Sequence, residues 1–146
     1  TQFRRDRDRE ASARASLAVP PAAFVIGAVG RAEPQKRFDL LIEAFAGLAE
    51  RDSSAHLVIA GDGSELDTLR KQAAALGESA QRVHLLGQRT DVDLLHHAFD
   101  VFVQSSDYEG TPNAVLEAMA FETPVVATRV GGTAEDDGYL VTLTTD

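Results

Sequence analysis

Short apolar runs recur along the chain, and this regularity restricts the fold more than any other feature. They cover residues 24–29, 56–60, 83–86, 100–104 and 124–128, and residues 139–143 are a candidate sixth. Continuous apolar runs of this length are typical of parallel strands covered on both faces. Stretches with helical spacing separate them. The pattern predicts an α/β fold, a doubly wound, Rossmann-like parallel sheet of about six strands in three layers.

Glycine follows each of the five main runs. The positions are Gly30, Gly61, Gly87, Gly110 and the pair Gly131-Gly132. In a parallel sheet all of them lie at the carboxyl edge, the edge at which the strands end. A tight turn from strand to helix explains any one of them. Together they favour a cleft at this edge, where a ligand approaches the backbone closely.

Composition excludes several classes of protein. The chain has 146 residues, 44% of them hydrophobic, which is enough for one domain with a core and too few for two. The net charge of −9 argues against a nucleic acid partner, and the absence of cysteine excludes disulfides and thiolate metal sites. No apolar run is long enough for an integral membrane segment. We therefore expect a cytoplasmic protein.

Residues 1–21 differ from the remainder of the chain. A run of mixed charge at residues 4–10 precedes small residues with a thin apolar face, and Pro20-Pro21 ends the segment. Charge runs of this kind are usually solvated. We expect residues 1–21 to be a linker or a peripheral segment, and residues 22–146 to form the domain.

Two cations on the loop after the first run indicate an anion site. Arg31 and Lys36 are five residues apart, Arg37 is adjacent, and the chain as a whole is acidic. A guanidinium binds phosphate oxygens through two hydrogen bonds, and an ammonium adds a point charge. An exposed basic turn without a ligand is the alternative interpretation.

The stretch 105–120 carries two carboxylates at the same predicted edge. Glu109 lies in a Gly/Pro loop, and Glu117 lies one turn into the helix that Asn113 is suited to cap. Carboxylates accept hydrogen bonds, so they suit hydroxyl groups better than phosphates. With the cations after the first strand, they describe a site for a phosphate flanked by two polyols.

Other motifs give weaker signals. The residues 61–64 lack the Lys that ends a phosphate-binding P-loop, so we interpret them as a turn in which Ser64 caps a helix that ends before Gly77. His96 and His97 are adjacent on a predicted helix and point about 100° apart, which does not suit a shared metal ion. We expect no metal site.

The sequence resembles the group 1 (family 4) glycosyltransferases over residues 24–135. The longest matching blocks are residues 106–120 and 124–132. The shorter blocks are Gly30-Arg31, Gln35-Lys36, Leu41-Ile42-Glu43-Ala44 and Ile59-Ala60-Gly61-Asp62-Gly63. The resemblance implies one half of a GT-B architecture, the C-terminal domain that binds a nucleoside-diphosphate sugar. It also implies a retaining, metal-independent reaction without a cofactor.

Roles for individual residues follow from the resemblance. The implied catalytic residues are Arg31 and Lys36, which contact the donor diphosphate, and Glu109, which lies near the transferred sugar. Glu117 is implied to bind the ribose, and Leu86 and Gly87 to pack on the base. The implied substrate-binding set is Gly30, Leu86, Gly87, Gly110, Thr111, Pro112, Asn113, Ala114, Val115 and Glu117.

The resemblance also implies that the chain is part of a larger enzyme. An N-terminal acceptor domain is absent from it, and closing helices would follow residue 146, so we expect a C-terminal truncation and no activity from this chain alone. A lipid acceptor bound by that other domain would make the full enzyme membrane-peripheral. Two alternatives stay open: a stand-alone nucleotide-binding or interaction module without transferase activity, and a nucleotide-sugar epimerase, which the signature fits less well.

Overall fold

The computed structural model describes residues 7–104, 125–129 and 139–143. Within these ranges six strands form one sheet: β1 Phe24–Val29, β2 Ala55–Ala60, β3 Val83–Gly87, β4 Val101–Gln104, β5 Val125–Arg129 and β6 Tyr139–Leu143. The described helices are α1 Arg7–Ser16, α2 Phe38–Arg51, α3 Leu66–Ala74 and α4 Val92–His96. Two short 3-10 helices add Pro34–Lys36 and Gly77–Arg82.

The strands follow the order β3-β2-β1-β4-β5-β6 across the sheet. Strands β1 to β5 run parallel, which confirms the predicted doubly wound α/β fold. Strand β6 differs, since it pairs with β5 antiparallel. The length of the connection between β5 and β6 explains this difference, because residues 130–138 are fewer than the dozen or so that a parallel crossover needs.

Two apolar clusters lie on opposite faces of the sheet and give the fold its three layers. Consecutive β2 residues point into them alternately, because side chains of a strand alternate between faces. Leu57 and Ile59 join the cluster under α2 and α3, whereas Val58 and Ala60 join the cluster under α1 and α4. All four are at most 2% exposed. This burial on both faces accounts for the continuous apolar runs in the sequence.

Gly27 follows the alternation on β1 but contributes no side chain to the cluster that it faces, and Phe99 explains why. A Cβ atom added to Gly27 would lie 2.3 Å from ring atoms of Phe99. The Phe99 side chain is fully buried and packs against Phe102 with ring centroids 6.4 Å apart. A glycine is therefore required here for packing, because the aromatic ring occupies the place of a side chain.

Helix α1 is part of the packed structure, which the thin apolar face in the sequence did not indicate. Ala13 and Leu17 are buried in the cluster of α1 and α4, and Arg14 is only 3% exposed. The guanidinium of Arg14 donates hydrogen bonds to the backbone oxygens of Ala98, Pro21 and Ala23, and to the carboxylate of Asp100. A solvated helix is thus the wrong interpretation for this turn of α1. The domain limit at residue 22 stays a prediction.

No helix of the described part of the chain is both long enough and apolar enough to cross a membrane.

Candidate functional site

The strand order creates a crevice at the carboxyl edge of the sheet. From β1 the chain proceeds to β2 and β3 on one side, and β4 then pairs with β1 on the other side, with Gly27 opposite Phe102. This reversal of the strand order is a topological switch point, and ligands of open α/β sheets bind in the crevice at such a point. The stretch 105–120 follows β4 in sequence.

A cleft of about 220 Å³ opens at this edge. It collects residues from the exits of three strands, β1, β2 and β3, and from the start of α4. The lining residues are Val29, Gly30, Arg31, Ala60, Gly61, Asp62, Gln88, Arg89 and Val92. Two arginines and two glycines thus border one cavity on a chain of net charge −9.

The two predicted cations of the first loop lie at this edge. The Arg31 side chain is 75% exposed, and its Nη2 atom lies 3.3 Å from Oε1 of Glu33. Lys36 ends the short 3-10 helix, and its side chain folds over Gly30, where an added Cβ would lie 3.4 Å from Nζ. The structure therefore brings Arg31 and Lys36 to the end of β1, with Arg31 on the wall of the cleft.

Arg89 is a third cation at this edge, and the sequence analysis missed it. Its guanidinium makes two hydrogen bonds to Asp91, of 2.8 and 2.6 Å. This contact raises the pKa of Arg89 and lowers the pKa of Asp91. A sequence signal existed: Arg89 stands two positions after Gly87, at a predicted strand exit, much as Arg31 directly follows Gly30.

The glycines of the cleft serve close contact between backbone segments. Gly61 has φ +150°, and a Cβ there would lie 1.6 Å from the carbonyl oxygen of Gly30. The Gly61 amide donates to Gly87 O at 2.7 Å. The exits of β1, β2 and β3 are therefore fitted together without room for a side chain at Gly61.

Ser64 does not cap α3 as the sequence analysis expected. The N-cap of α3 is Glu65, which makes no side-chain capping hydrogen bond. The Ser64 hydroxyl donates instead to Glu33 Oε2 at 2.7 Å, and the Ser64 amide donates to Glu33 Oε1 at 3.1 Å. These two bonds, followed by the contact with Arg31, lower the pKa of Glu33 below 4.5. The prediction failed because a carboxylate from another loop outcompetes the helix for this serine.

The C-terminal end of α3 also differs slightly from the expectation. The C-cap is Ala75, and Gly77 has a left-handed φ of +77°. Gly77 opens the 3-10 helix Gly77–Arg82, which the sequence analysis did not predict.

Leu86 and Gly87 lie at the end of β3, beside the cleft. Leu86 is partly buried and packs against the cluster of α1 and α4, and Gly87 is buried with φ +73°. Gln88, the next residue, lines the cleft and is exposed. A role for Leu86 and Gly87 in base packing stays a prediction.

Eight predicted site residues lie outside the described residues. They are Glu109, Gly110, Thr111, Pro112, Asn113, Ala114, Val115 and Glu117. The two carboxylates that suit hydroxyl groups belong to this set, so their roles also stay predictions.

The described histidines lie away from the cleft. His56 and His84 stack with ring centroids 5.3 Å apart, and a nitrogen of one ring lies 3.1 Å from a nitrogen of the other. Burial lowers the pKa of both, with further contributions from Arg82 on His56 and from His56 on His84. Among the described residues, no group of three or more His, Asp or Glu side chains is arranged to hold a metal ion.

A larger cleft, of about 410 Å³, lies between the start of α2 and α3. Acidic side chains and the paired Arg37 line it, with Arg37 Nε 3.1 Å from Asp39 Oδ1. Gln72 of α3 donates to the Asp39 carbonyl at 2.9 Å across its floor. This cleft gathers acidic and amide groups, so the smaller cleft is the better candidate for an anion.

Comparisons with known proteins agree with this fold and show the family of the chain. A sequence model of the family "Glycosyl transferases group 1" matches residues 9–136, which includes most of α1. The chain is 43% identical over 119 residues to the lipopolysaccharide core biosynthesis glycosyltransferase LpsE of Rhizobium meliloti, covering 82% of this chain and 34% of LpsE. It thus spans about a third of the length of such relatives.

Two solved structures resemble the fold. HepE of Anabaena, crystallised with UDP and glucose, has a TM-score of 0.78 and 30% identity, covering 92% of this chain and 37% of HepE. The C-terminal domain of a group 1 family protein from Francisella tularensis has a TM-score of 0.73. At 23% identity, with 91% of this chain and 71% of that domain covered, it supports the fold alone.

Proposed function

The chain belongs to the group 1 glycosyltransferases, and we propose that it is the donor-binding domain of such an enzyme, a domain that binds a nucleoside-diphosphate sugar. One observation carries this proposal: the cleft at the carboxyl edge, where Arg31 and Arg89 converge from separate strand exits on an acidic chain. HepE, which has 30% sequence identity to this chain, was crystallised with UDP and glucose.

The cations account for the chemistry of the leaving group. Transfer of a sugar from a nucleoside diphosphate leaves negative charge on the diphosphate, and fixed positive groups nearby stabilise that charge. In the proposal Arg31 and Lys36 contact the diphosphate directly. Their charges supply what a metal ion supplies in other transferases, which is the basis for proposing a metal-independent reaction. Retention of the anomeric configuration is part of the proposal because the family resemblance implies it.

The stretch after β4 completes the proposed site. Glu109 is assigned to the transferred sugar and Glu117 to the ribose hydroxyls, because carboxylates accept hydrogen bonds from hydroxyl groups. Asn113 and the amides that follow it are assigned to the phosphate or sugar. These residues follow β4, the strand that pairs with β1 at the switch point.

A second domain is part of the proposal. The chain covers about a third of LpsE and of HepE, and its sequence predicts a single α/β domain. We therefore assign the acceptor site, and completion of the transferase cleft, to an N-terminal domain outside this sequence. On this proposal the chain binds the donor and does not catalyse transfer by itself.

Calorimetric titration of the chain with UDP, GDP and ADP tests the proposal directly. We expect one of the three nucleotides to bind, and Arg31→Ala to weaken that binding about tenfold, the loss typical of one charge-assisted contact. Arg51→Ala is the matched control, because it removes the same charge from the last turn of α2. A folded chain that binds none of the three nucleotides contradicts the donor-domain proposal, and equal effects of the two variants contradict the role of Arg31.

Variants at the remaining predicted positions extend the same titration. Lys36→Ala is expected to weaken the binding of a nucleoside diphosphate more than that of a nucleoside monophosphate, because the Lys36 ammonium is proposed to contact the diphosphate. Glu117→Ala is expected to weaken binding of UDP more than that of inorganic diphosphate, since diphosphate has no ribose. Equal losses for both ligands would contradict the ribose assignment.

A further inference from the structure

Glu33 joins three groups at the carboxyl edge. Its Oε1 atom accepts the Ser64 amide at 3.1 Å and lies 3.3 Å from Arg31 Nη2, and its Oε2 atom accepts the Ser64 hydroxyl at 2.7 Å. Ser64 belongs to the loop after β2, whereas Glu33 and Arg31 belong to the loop after β1. One carboxylate therefore connects two strand exits and a cation of the cleft.

The same two loops are also in backbone contact. The Ala32 amide donates to Asp62 O at 3.1 Å, and the Glu65 amide donates to Ala32 O at 2.7 Å. A Cβ added to Gly63 would lie 2.6 Å from Ala32 O, so the loops touch without intervening space. The hydrogen bonds between Ser64 and the Glu33 carboxylate lie next to this backbone contact and join the same two loops. The loop that carries Arg31 is thus tied to the loop that carries Asp62 of the cleft wall.

Arg31 depends on such support more than its neighbours do. Its side chain is 75% exposed, and a long exposed side chain loses considerable rotamer freedom when it binds an anion. A partner that already restricts the guanidinium reduces that loss. Glu33 is the carboxylate within reach of Arg31 Nη2, and Glu33 itself does not line the 220 Å³ cleft.

We infer that Glu33 is a positioning residue of the proposed donor site: it fastens the loop after β1 to Ser64 and holds the Arg31 guanidinium at the cleft wall. This inference rests on the proposed function, because Arg31 needs an anionic ligand for its position to matter. The low pKa of Glu33 keeps the carboxylate ionised at neutral pH, as the contact requires.

A simple charge argument gives the opposite expectation. Glu33 is an anion near a site for an anion, so its removal would strengthen diphosphate binding if the carboxylate did nothing except repel the ligand. Positioning and repulsion therefore predict changes of opposite sign for Glu33→Ala. Glu33→Gln removes the charge and keeps the contacts, because a carboxamide has an acceptor for Ser64 N and Arg31 and a donor for Ser64 Oγ.

The sign of the change in affinity is measured by calorimetry, in which the unmutated chain and the two variants are titrated with UDP. We expect Glu33→Ala to weaken UDP binding about tenfold, as loss of a charge-assisted contact does, and Glu33→Gln to bind at least as tightly as the unmutated chain. Asp39→Ala is the matched control, since Asp39 pairs with an arginine two residues earlier, as Glu33 does, but that arginine, Arg37, does not line the 220 Å³ cleft. It is expected to change the affinity less than twofold. Tighter or unchanged binding by Glu33→Ala overturns the inference.

A second measurement judges Glu33 without a ligand. In the amide NMR spectrum of the unliganded chain, the Ser64 resonance and its protection from hydrogen exchange should change in Glu33→Ala and be retained in Glu33→Gln. The Ser64 resonance should also titrate with the Glu33 carboxyl, below pH 4.5. An unaffected Ser64 amide in Glu33→Ala overturns the inference whatever the UDP result. Failure of the unmutated chain to bind any of UDP, GDP and ADP, with the Ser64 changes as expected, instead contradicts the proposed function; if GDP or ADP binds in place of UDP, the variants are titrated with that nucleotide.

Discussion

The two edges of the sheet use arginine in different ways. At the amino edge, where the strands begin, Arg14 and Arg82 each donate to the backbone carbonyl oxygens of three residues: Arg14 to Ala98, Pro21 and Ala23, and Arg82 to Ala49, Asp52 and Ala55. Arg14 donates to the Asp100 carboxylate as well. At the carboxyl edge, Arg31 and Arg89 instead pair with a carboxylate two residues later in sequence, Glu33 or Asp91.

This difference separates structural arginines from candidate binding residues. Carbonyl oxygens of neighbouring segments saturate a guanidinium and fix it in place, and Arg14 is accordingly 3% exposed. A neighbouring carboxylate holds a guanidinium while leaving one face accessible to an anion, and the Arg31 side chain is 75% exposed. Several backbone carbonyl partners together with burial thus indicate a structural arginine, which charge alone does not.

Replacement of Arg14 should have the largest effect on stability. Arg14→Ala removes the guanidinium that donates to the buried carbonyl oxygens of Ala98 and Ala23, and it leaves the Asp100 carboxylate with the Val25 amide but without its cationic partner, which costs about 3–5 kcal/mol. Arg31→Ala, at the other edge, should change the free energy of unfolding by less than about 0.5 kcal/mol. Urea denaturation of both variants measures the comparison. Similar losses in the two would show that the edges do not differ as described.

Replacement of Gly61 should have the next largest effect, at the carboxyl edge. Gly61→Ala places a Cβ against Gly30 O with φ +150°, and strain of this kind costs about 1–3 kcal/mol. Gly47→Ala is the control, because a Cβ there meets nothing within 4 Å and helix propensity favours alanine by about 0.5–1 kcal/mol. Thermal unfolding should therefore shift in opposite directions for the two variants. A neutral Gly61→Ala would contradict the tight fit of the strand exits.

The histidine pair of β2 and β3 should give the smallest effect, visible in the pH dependence of stability. The pKa values of His56 and His84 lie below 6.5 in the folded chain, so the unfolded chain binds protons first as the pH falls. Stability is therefore complete above pH 6.5 and decreases below it, by at most about 1.4 kcal/mol per pH unit for each proton.

Urea denaturation between pH 7 and pH 5 measures this slope. His56→Gln should flatten the slope, because it removes one of the two titrating rings. The carboxylates Glu33 and Asp52 also have lowered pKa values, but they lose their contribution only at lower pH, below 4.5 and 3.8. An unchanged slope in His56→Gln would contradict the burial of the pair as its cause.

The sequence predicted the strands well and the helix ends less well. Strand β1 is observed at the predicted residues, since a run buried on both faces has to be continuously apolar. Helix α3 is shorter than expected because Ser64 binds Glu33 and because a 3-10 helix begins at Gly77. Side-chain contacts between distant loops leave no local pattern, so this competition cannot be predicted from the residues around Ser64.

Part of the candidate site could be predicted, because the strand exits leave a local signal in the sequence. Strand exits are marked by glycine, so Arg31 and Lys36 were recognised as cations at the carboxyl edge. Arg89 was missed although it stands two positions after Gly87, because the sequence does not show which residues after each strand line the cleft; the contacts of Gly61 with Gly30 and Gly87 bring the exits of β1 and β3 together. Glu109 and Glu117 stay predictions.

By itself the sequence determined the fold class, the edge of the sheet that carries the site and the family, because apolar runs, glycines and motif residues are local features. The tertiary structure decided which charged residues are structural and which are accessible. Arg14 follows a charge run that looks solvated, yet its helix packs on the sheet and carbonyl oxygens surround its guanidinium. Burial depends on which segments meet in space, and local sequence does not record that.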